Sequence, residues 1–278
     1  NCEKEGKRKQ SRILFIESEI KREVRGMGWK EWQSSLVGLL FPGKKVCPIC
    51  GQKKTEVYHK GICQNCASRI LSISKMEIVC PRCGFFTAGE TCPNCRYWSN
   101  ALFQVGSVVP YEGVFREMIH DLKFNRKKEN AYPLGYLMAC RVKDLGIADI
   151  IEAVVPVPLY LGREIERGYN QSLLLAQVIS EELKKPLWPN ALTRKHFYQT
   201  QTVLGRKDRL ENLKDAFEFA GKEKKVRCVL LVDDIITTGA TLVSCANVLE
   251  ERGIKRIYGI TWAAGYSVKM MEKLENII

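Results

Sequence analysis

The sequence of 278 residues lacks several features that define common protein classes. It has no apolar run near the roughly 18 residues of a membrane span, and no signal peptide with a small-residue cleavage site. It has neither a Gly-x-x-x-x-Gly-Lys nor a Gly-x-Gly-x-x-Gly sequence, so neither a P-loop nor a dinucleotide-binding fold is indicated. These absences predict a soluble, cytoplasmic protein without a membrane span.

Acidic residues are also fewer than basic ones. The chain has 31 Asp and Glu and 44 Lys and Arg, which gives a formal net charge of +13. This excess favours polyanionic partners, namely nucleic acid, phosphorylated metabolites or an anionic membrane surface. A hydrophobic fraction of 45% and a charged fraction of 27% are ordinary globular values and exclude disordered and low-complexity classes. The length predicts about two domains.

The 12 cysteines are concentrated, because eight of them form four Cys-x-x-Cys pairs within one fifth of the chain. A secreted disulfide scaffold would not confine its pairs in this way, so metal binding in a reducing compartment is predicted. Two Cys-x-x-Cys knuckles complete a tetrahedral Zn2+ site with Zn–S distances of about 2.3 Å and leave no position for a catalytic water. We therefore predict two structural Zn2+ sites with the ligands Cys47, Cys50, Cys63, Cys66, Cys80, Cys83, Cys92 and Cys95.

The four pairs form an internal repeat, which bears on how they share the metals. Twelve residues separate Cys50 from Cys63, and eight separate Cys83 from Cys92. Sequential pairing would make two zinc ribbons and interleaved pairing a cross-brace, and the repeat favours the sequential arrangement. Because the thiolate sets are complete, we expect His59 to be an ordinary surface residue.

The sequence pattern divides the chain into three predicted segments. Residues 1–34 are rich in Lys, Arg and Glu and form a basic extension, either solvated or contacting nucleic acid. Residues 35–98 form the double zinc ribbon, and a short helix over residues 31–41 precedes its first cysteine. Residues 99–278 form an α/β domain. Its predicted strands are 102–111, 153–157, 227–232 and 256–262, and its predicted helices are 170–185 and 239–252. This alternation predicts a parallel sheet flanked by helices.

A Thr-rich turn after the third of these strands is the most informative stretch. The apolar strand ends in Asp233 and Asp234, and the turn then enters a helix through Gly239. Backbone N–H groups and hydroxyls at such a helix start can bind a dianionic phosphate, and glycine allows a close approach. The two carboxylates would repel that phosphate, so we expect them to bind vicinal ribose hydroxyls or to hold Mg2+ through water. The plainer alternative is that these residues only cap a helix.

At these residues the chain resembles the type I phosphoribosyltransferases, whose phosphoribosyl pyrophosphate (PRPP) motif is a strand, two acids and a Thr-Thr-Gly-type turn. The resemblance implies that Asp233 and Asp234 contact the ribose 2′- and 3′-hydroxyls. It also implies that PRPP, or another ribose-5-phosphate ligand, binds with Mg2+. The residues that would surround the 5′-phosphate, called here the phosphate turn, are Thr237, Thr238, Gly239, Ala240 and Thr241.

A second group of residues narrows the resemblance. Arg163 and Arg167 are spaced i and i+4, so in a helix they would share one face suited to a pyrophosphate or a nucleic-acid backbone. With the ribbon cysteines and the Leu-Leu-Phe-Pro string at residues 39–42, the chain looks like the ComF family over residues 36–270, although Tyr169 stands where Phe is common. The other strings that carry this resemblance are Pro156-Val157-Pro158-Leu159, Arg167-Gly168-Tyr169-Asn170-Gln171, Arg194, Gln201, Leu204, Arg209, Asn212 and Ala216-Phe217.

The ComF resemblance implies a pyrophosphate side to the site. Pro156, Val157 and Pro158 would lie near the pyrophosphate, with Arg163 and Arg167 as its charge partners. His120 and Lys123 could also reach a phosphate, or they could form the polar face of an amphipathic helix.

Three functions fit these residues. The ComF resemblance, whose best-known members are the ComFC proteins of bacterial competence, implies a PRPP-binding protein that handles single-stranded DNA beside a helicase partner during DNA uptake. Residues 194–209 interleave aromatic and basic side chains, as single-stranded DNA grooves do. The alternatives are an active phosphoribosyltransferase on a small base or metabolite, and a catalytically silent PRPP-sensing adaptor. No residue identifies a base pocket or a general base, so the acceptor stays open.

Overall fold

In the computed structural model, the residues described are 46–52, 58–59, 61–76, 78–87, 92, 94–95, 98–195, 216–221, 226–267 and 270. The predicted basic extension, the predicted helix over residues 31–41 and residues 196–209 of the aromatic and basic stretch lie outside them. None of the helices described has the length and apolar character needed to cross a membrane.

The described elements include the four strands and two helices that were predicted for residues 99–278. The elements are β1 (Tyr58–His59), β2 (Ile62–Cys63), α1 (Gln64–Ile73), β3 (Leu102–Pro110), α2 (Gly113–Phe124), a 3-10 turn (Lys128–Asn130), α3 (Ala131–Asp144), β4 (Ala153–Pro156), α4 (Leu161–Arg167), α5 (Gln171–Leu183), β5 (Leu192–Arg194), β6 (Phe217–Phe219), β7 (Cys228–Ile236), α6 (Ala240–Glu251) and β8 (Arg256–Ala264). Strands β1 and β2, and likewise β5 and β6, pair as small antiparallel ladders.

Four parallel strands form the central sheet in the order β3-β8-β7-β4. Residues 229–232 of β7 are fully buried, as expected for a central parallel strand that is covered on both faces. Strand β7, helix α6 and strand β8 form a βαβ unit. The predicted parallel α/β fold with flanking helices is confirmed.

Strand β7 is longer than predicted. It continues to Ile236, so Asp233 and Asp234 lie within the strand rather than after it. The reason is that β8 also continues, and Asp233 pairs with Thr261 while Ile236 pairs with Ala264. The phosphate turn therefore starts directly at the end of the sheet.

Helices α3 and α5 pack closely against each other. A Cβ on Gly135 of α3 would lie 2.7 Å from the Cβ of Val178 on α5, so this contact requires glycine. Close packing here fixes the position of α5, whose first residues line the site described below.

The cysteine segment lies on the edge of the sheet. The backbone N–H of Val105 in edge strand β3 donates to the carbonyl of Arg82 (2.8 Å), and the N–H of Phe86 donates to the carbonyl of Gly265 (3.1 Å). The side chain of Gln104 donates to the carbonyl of Pro81 (2.9 Å). Residues 81–86 thus cover backbone groups that an edge strand would otherwise expose.

Candidate functional site

The eight thiols form two groups. Cys47, Cys50, Cys63 and Cys66 make the first cluster, and within it all ligand atoms lie within 4.8 Å of one another. The same spacing holds in the second cluster, which consists of Cys80, Cys83, Cys92 and Cys95. The grouping is sequential, and four thiolates are the donor set of a structural zinc site.

Tight backbone turns form the knuckles of both clusters. The N–H of Gly51 donates to the carbonyl of Cys47, and the N–H of Gly84 donates to that of Cys80, both at 2.9 Å. Both glycines have positive φ, +68° and +70°. Burial raises the pKa of Cys95 to about 11, so metal binding there has to release protons.

A cavity of about 390 Å³ lies at the carboxyl end of the parallel strands, where ligands bind in open α/β sheets. Tyr111 follows β3, Val157 follows β4, and the end of β7 contributes the two acids. The lining residues are Tyr111, Lys123, Val157, Pro158, Leu159, Arg163, Arg167, Gln171, Ser172, Arg194, Asp233, Asp234, Ile235, Thr237 and Thr241.

The two acids have different partners. Asp233 Oδ1 accepts hydrogen bonds from the hydroxyl of Ser172 (3.0 Å) and the backbone N–H of Asp234 (2.9 Å). Burial, and next the charge of Asp234, raises the pKa of Asp233 to about 7. Asp234 Oδ1 pairs with Lys123 Nζ at 2.9 Å, whereas its buried Oδ2 has no hydrogen-bond partner among the residues described. The hydrogen-bond acceptor capacity of this oxygen is therefore unused among these residues.

Cations outnumber acids on the cavity wall. Among the residues described, four cations, Lys123, Arg163, Arg167 and Arg194, and two carboxylates line it. Arg163 and Arg167 lie one turn apart on α4, which ends at Gly168 with φ of +79°. Burial lowers the pKa of Arg167 and of Arg194, but an arginine stays charged at neutral pH. The excess positive charge suits a polyanionic ligand.

The phosphate turn is only partly open to the cavity. Thr237 and Thr241 line it, whereas Thr238, Gly239 and Ala240 are not among the lining residues. The Thr238 hydroxyl accepts a hydrogen bond from the N–H of Ala240 at 3.4 Å, and α6 begins there. A helix therefore starts at the predicted turn, and two of the three threonines of that turn line the cavity.

Asn170 connects the two segments expected on the pyrophosphate side. Its Oδ1 caps α5 by accepting from the N–H groups of Ser172 (2.9 Å) and Leu173 (3.3 Å), and its Nδ2 donates to the carbonyl of Val157 (3.0 Å). Val157 and Pro158 line the cavity, whereas Pro156 is buried in β4 opposite Val232.

Several residues near the site were not predicted. Tyr111, Ser172 and Ile235 line the cavity, and Asn94 and Trp98 contact the phosphate turn. Ser172 directly follows the string that ends at Gln171, so its position in the site could have been predicted from the sequence. The contacts of Asn94 and Trp98 span 143 and 140 residues, and no local pattern signals them.

The two candidate phosphate ligands on α2, His120 and Lys123, have different surroundings. Lys123 lines the cavity, whereas His120 is exposed and its ring centroid lies 4.6 Å from that of Phe124. Both are on one helix, but only the last turn of α2 reaches the acids.

The fold and the site define a protein of the phosphoribosyltransferase class, because a parallel sheet ends in two adjacent acids and a threonine turn at a helix start. The two thiol clusters precede this domain in the sequence. Family comparison agrees, because the Phosphoribosyl transferase domain matches residues 169–272 and the Double zinc ribbon domain matches residues 36–96. The Double zinc ribbon match and the two clusters support two zinc sites.

Similar proteins specify the family. The chain is 34% identical to Competence protein F of Haemophilus influenzae, over 73% of this chain and 90% of that protein. It is 32% identical to DNA utilization protein YhgH of Escherichia coli, over 77% and 94% of the two chains. It is 29% identical to Competence protein ComFC of Bacillus subtilis, over 69% and 79%. The chain belongs to the ComF family.

Proposed function

We propose that this protein binds PRPP, or another ribose-5-phosphate ligand, together with Mg2+, and acts in DNA uptake by handling single-stranded DNA beside a helicase partner. The observation that carries the proposal is the cavity that combines two adjacent carboxylates, a threonine turn at a helix start and four cations. The names of its relatives, which refer to competence and DNA utilization, support the DNA role.

Each part of the cavity suits one part of PRPP. Asp233 and Asp234 would accept hydrogen bonds from the ribose hydroxyls, and Oδ2 of Asp234 has no competing hydrogen-bond partner among the residues described. The phosphate turn would bind the 5′-phosphate, with Thr237 and Thr241 as hydroxyl donors. Arg163 and Arg167 would pair with the pyrophosphate.

Mg2+ fits this donor set, because carboxylate oxygens are its preferred protein ligands and it usually keeps several waters. When bound, it would neutralise part of the pyrophosphate charge. The residues of the chain would hold the ribose and the phosphate, and Lys123 would keep the charge of Asp234 compensated when no ligand is present.

A surface beside the cavity suits single-stranded nucleic acid. Phe124 is 55% exposed, the guanidinium of Arg167 lies 4.8 Å from its ring centroid, and Arg126 and Lys128 follow it in exposed positions. We call His120, Phe124, Arg126 and Lys128 the Phe124 surface. Exposed aromatic rings interleaved with cations can stack bases and attract a backbone. Since Arg167 also lines the cavity, this surface adjoins the proposed PRPP site.

Calorimetry with PRPP and Mg2+ on the zinc-loaded protein tests the ligand. We expect saturable binding by the wild type, and its loss in the Asp233→Asn/Asp234→Asn variant because both hydroxyl acceptors are weakened. The matched control is Asp149→Asn, an exposed acid outside the cavity lining. No binding by folded wild-type protein would contradict the proposal.

Turnover distinguishes the alternatives that use the same residues. Release of pyrophosphate from PRPP with one acceptor but not with others would identify an active phosphoribosyltransferase. Binding without turnover, and without DNA binding, would identify a PRPP-sensing adaptor.

A further inference from the structure

The second cluster and the phosphate turn are in direct contact. Asn94 lies between Cys92 and Cys95, and its side-chain amide donates a hydrogen bond to the carbonyl of Thr237. Trp98 follows three residues after Cys95, and its indole N–H donates to the carbonyl of Thr238 at 3.0 Å. Both contacts are inside the molecule, since Asn94 and Trp98 are 4% and 6% exposed.

Packing reinforces these hydrogen bonds. Gly239 has φ of +80°, and a Cβ there would lie 2.2 Å from a ring carbon of Trp98. The space beside this glycine is therefore filled by the indole ring. Next to Trp98, the hydroxyl of Ser99 donates to Asn247 Oδ1 on α6 at 2.7 Å. One short segment thus contacts both the turn and the helix that follows it.

Fixing these carbonyls has a consequence for anion binding. The carbonyl of one residue and the N–H of the next belong to one planar trans peptide and point in opposite directions. A donor that fixes the Thr237 carbonyl therefore sets the direction of the Thr238 N–H, and one that fixes the Thr238 carbonyl does the same for Gly239. These N–H groups lie between Thr237 and Thr241, the two residues of the turn that line the cavity, so their direction decides whether the backbone at this helix start can donate to a phosphate there.

We propose that the second zinc ribbon is a positioning element of the phosphate site: zinc at the second cluster holds Asn94 and Trp98 against the phosphate turn and so preorganises it. This inference rests on the proposed function, because it assigns the ribbon a part in ribose-phosphate binding. Since coupling between two ligands is reciprocal, a bound phosphate ligand should also slow the loss of zinc from the second cluster.

The first test uses the variant Asn94→Ala/Trp98→Phe, which removes both donors and keeps an aromatic ring beside Gly239. Its matched control is Asn190→Ala/Trp188→Phe, whose residues are not among those lining the cavity. We expect unchanged zinc content, faster hydrogen exchange at residues 237–241 without ligand, and affinity for ribose 5-phosphate reduced about tenfold because fewer molecules hold a competent turn. Unchanged exchange and unchanged affinity would overturn the proposal.

The second test uses the wild type and does not depend on the variant folding. Zinc release to a chromogenic chelator is followed with and without ribose 5-phosphate, and we expect one of the two zinc ions to leave more slowly with the ligand. Equal release rates with saturating bound ligand would overturn the coupling. If the wild type binds no ribose phosphate, the proposed function fails, while the exchange measurement without ligand still decides whether the ribbon orders the turn.

Discussion

Asp233 and Asp234 are neighbours in sequence but have different surroundings. Successive side chains of a strand point to opposite faces of the sheet, so the carboxylates of these two β7 residues point in different directions. Asp233 meets the hydroxyl of Ser172 on α5, and Asp234 meets the ammonium of Lys123 on α2. Two elements from different parts of the chain therefore set the electrostatics of the pair.

The raised pKa of Asp233 predicts a pH dependence of stability. Its pKa is about 7 in the folded protein against 3.8 for the free side chain, so the folded state binds more protons between these values. Its contribution to stability is therefore lost as pH rises from about 4 to about 7 and changes little above that. Denaturant unfolding should show Asp233→Asn gaining stability relative to wild type between about pH 5 and about pH 7. A constant difference would contradict this.

Lys123 should matter for stability as well as for ligand binding. The side chains of Lys123 and Asp234 are only 16% and 7% exposed, so removing the ammonium leaves a buried carboxylate without its partner. We expect Lys123→Met to lower the free energy of unfolding by about 3 kcal/mol in urea titrations. Lys123→Met/Asp234→Asn should recover much of this loss, since it removes the unpaired charge.

The Lys75–Asp144 pair is the matched control for that measurement. Its N–O distance is also 2.9 Å, but its side chains are 54% and 26% exposed. Lys75→Met should therefore cost no more than about 1 kcal/mol. Equal losses at the two pairs would show that burial does not determine the effect.

At the scale of elements, α4 is a seven-residue helix that holds two arginines on the cavity side. The next residue, Gly168, ends this helix in the left-handed backbone conformation. Two residues later, Asn170 caps the start of α5. The hydrogen bond from Asn170 to the carbonyl of Val157 ties this junction to the end of β4. Such an arrangement keeps the arginines over the carboxyl edge of the sheet.

The helical spacing of these arginines makes a specific prediction about ligands. Arg163→Ala/Arg167→Ala should weaken PRPP binding by about tenfold to a hundredfold, because charge-assisted hydrogen bonds are lost. Ribose 5-phosphate, which has no pyrophosphate, should lose less affinity in the same calorimetric assay. The control is Arg69→Ala on the exposed side of α1. Equal losses for the two ligands would place the arginines elsewhere than at the pyrophosphate.

At the scale of the whole molecule, the charge of +13 favours electrostatic binding of nucleic acid. Affinity for a short fluorescent single-stranded oligonucleotide should fall steeply between about 50 mM and about 200 mM salt, because phosphate contacts release counterions. Phe124→Ala should weaken binding without changing the salt slope, whereas Arg126→Ala/Lys128→Ala should reduce the slope. Salt-independent binding, or none at low salt, would contradict the DNA role.

Zinc removal should affect the sheet as well as the ribbons. Residues 81–86 cover backbone groups of β3 and contact Gly265 beyond β8. Loss of the metal that holds this segment would expose an edge strand, and exposed edges pair with other molecules. We expect that removing zinc with a chelator increases light scattering, because the molecules aggregate. Zinc that is added back promptly should prevent this increase. A chelated protein that stays monomeric would show that the edge is protected in another way.

Much of this arrangement was predictable because its signals are local. The apolar run before Asp233 and the helical pattern after Gly239 lie within one window of sequence, and both elements are present. The spacing of Cys-x-x-Cys pairs likewise indicated clusters, and the structure groups them sequentially. The extent of β7 was predicted wrongly because it depends on the length of β8, its partner in the ladder.

The sequence by itself determined the parallel α/β fold, the thiol clusters and the chemical character of the turn, since strand and helix periods and ligand spacing are properties of neighbouring residues. Only the tertiary structure decided that Lys123 pairs with Asp234 and that Asn94 and Trp98 bind the carbonyls of the phosphate turn. These contacts join residues more than a hundred positions apart. Their geometry follows from how the ribbon and α2 pack on the sheet, and no local pattern encodes that packing.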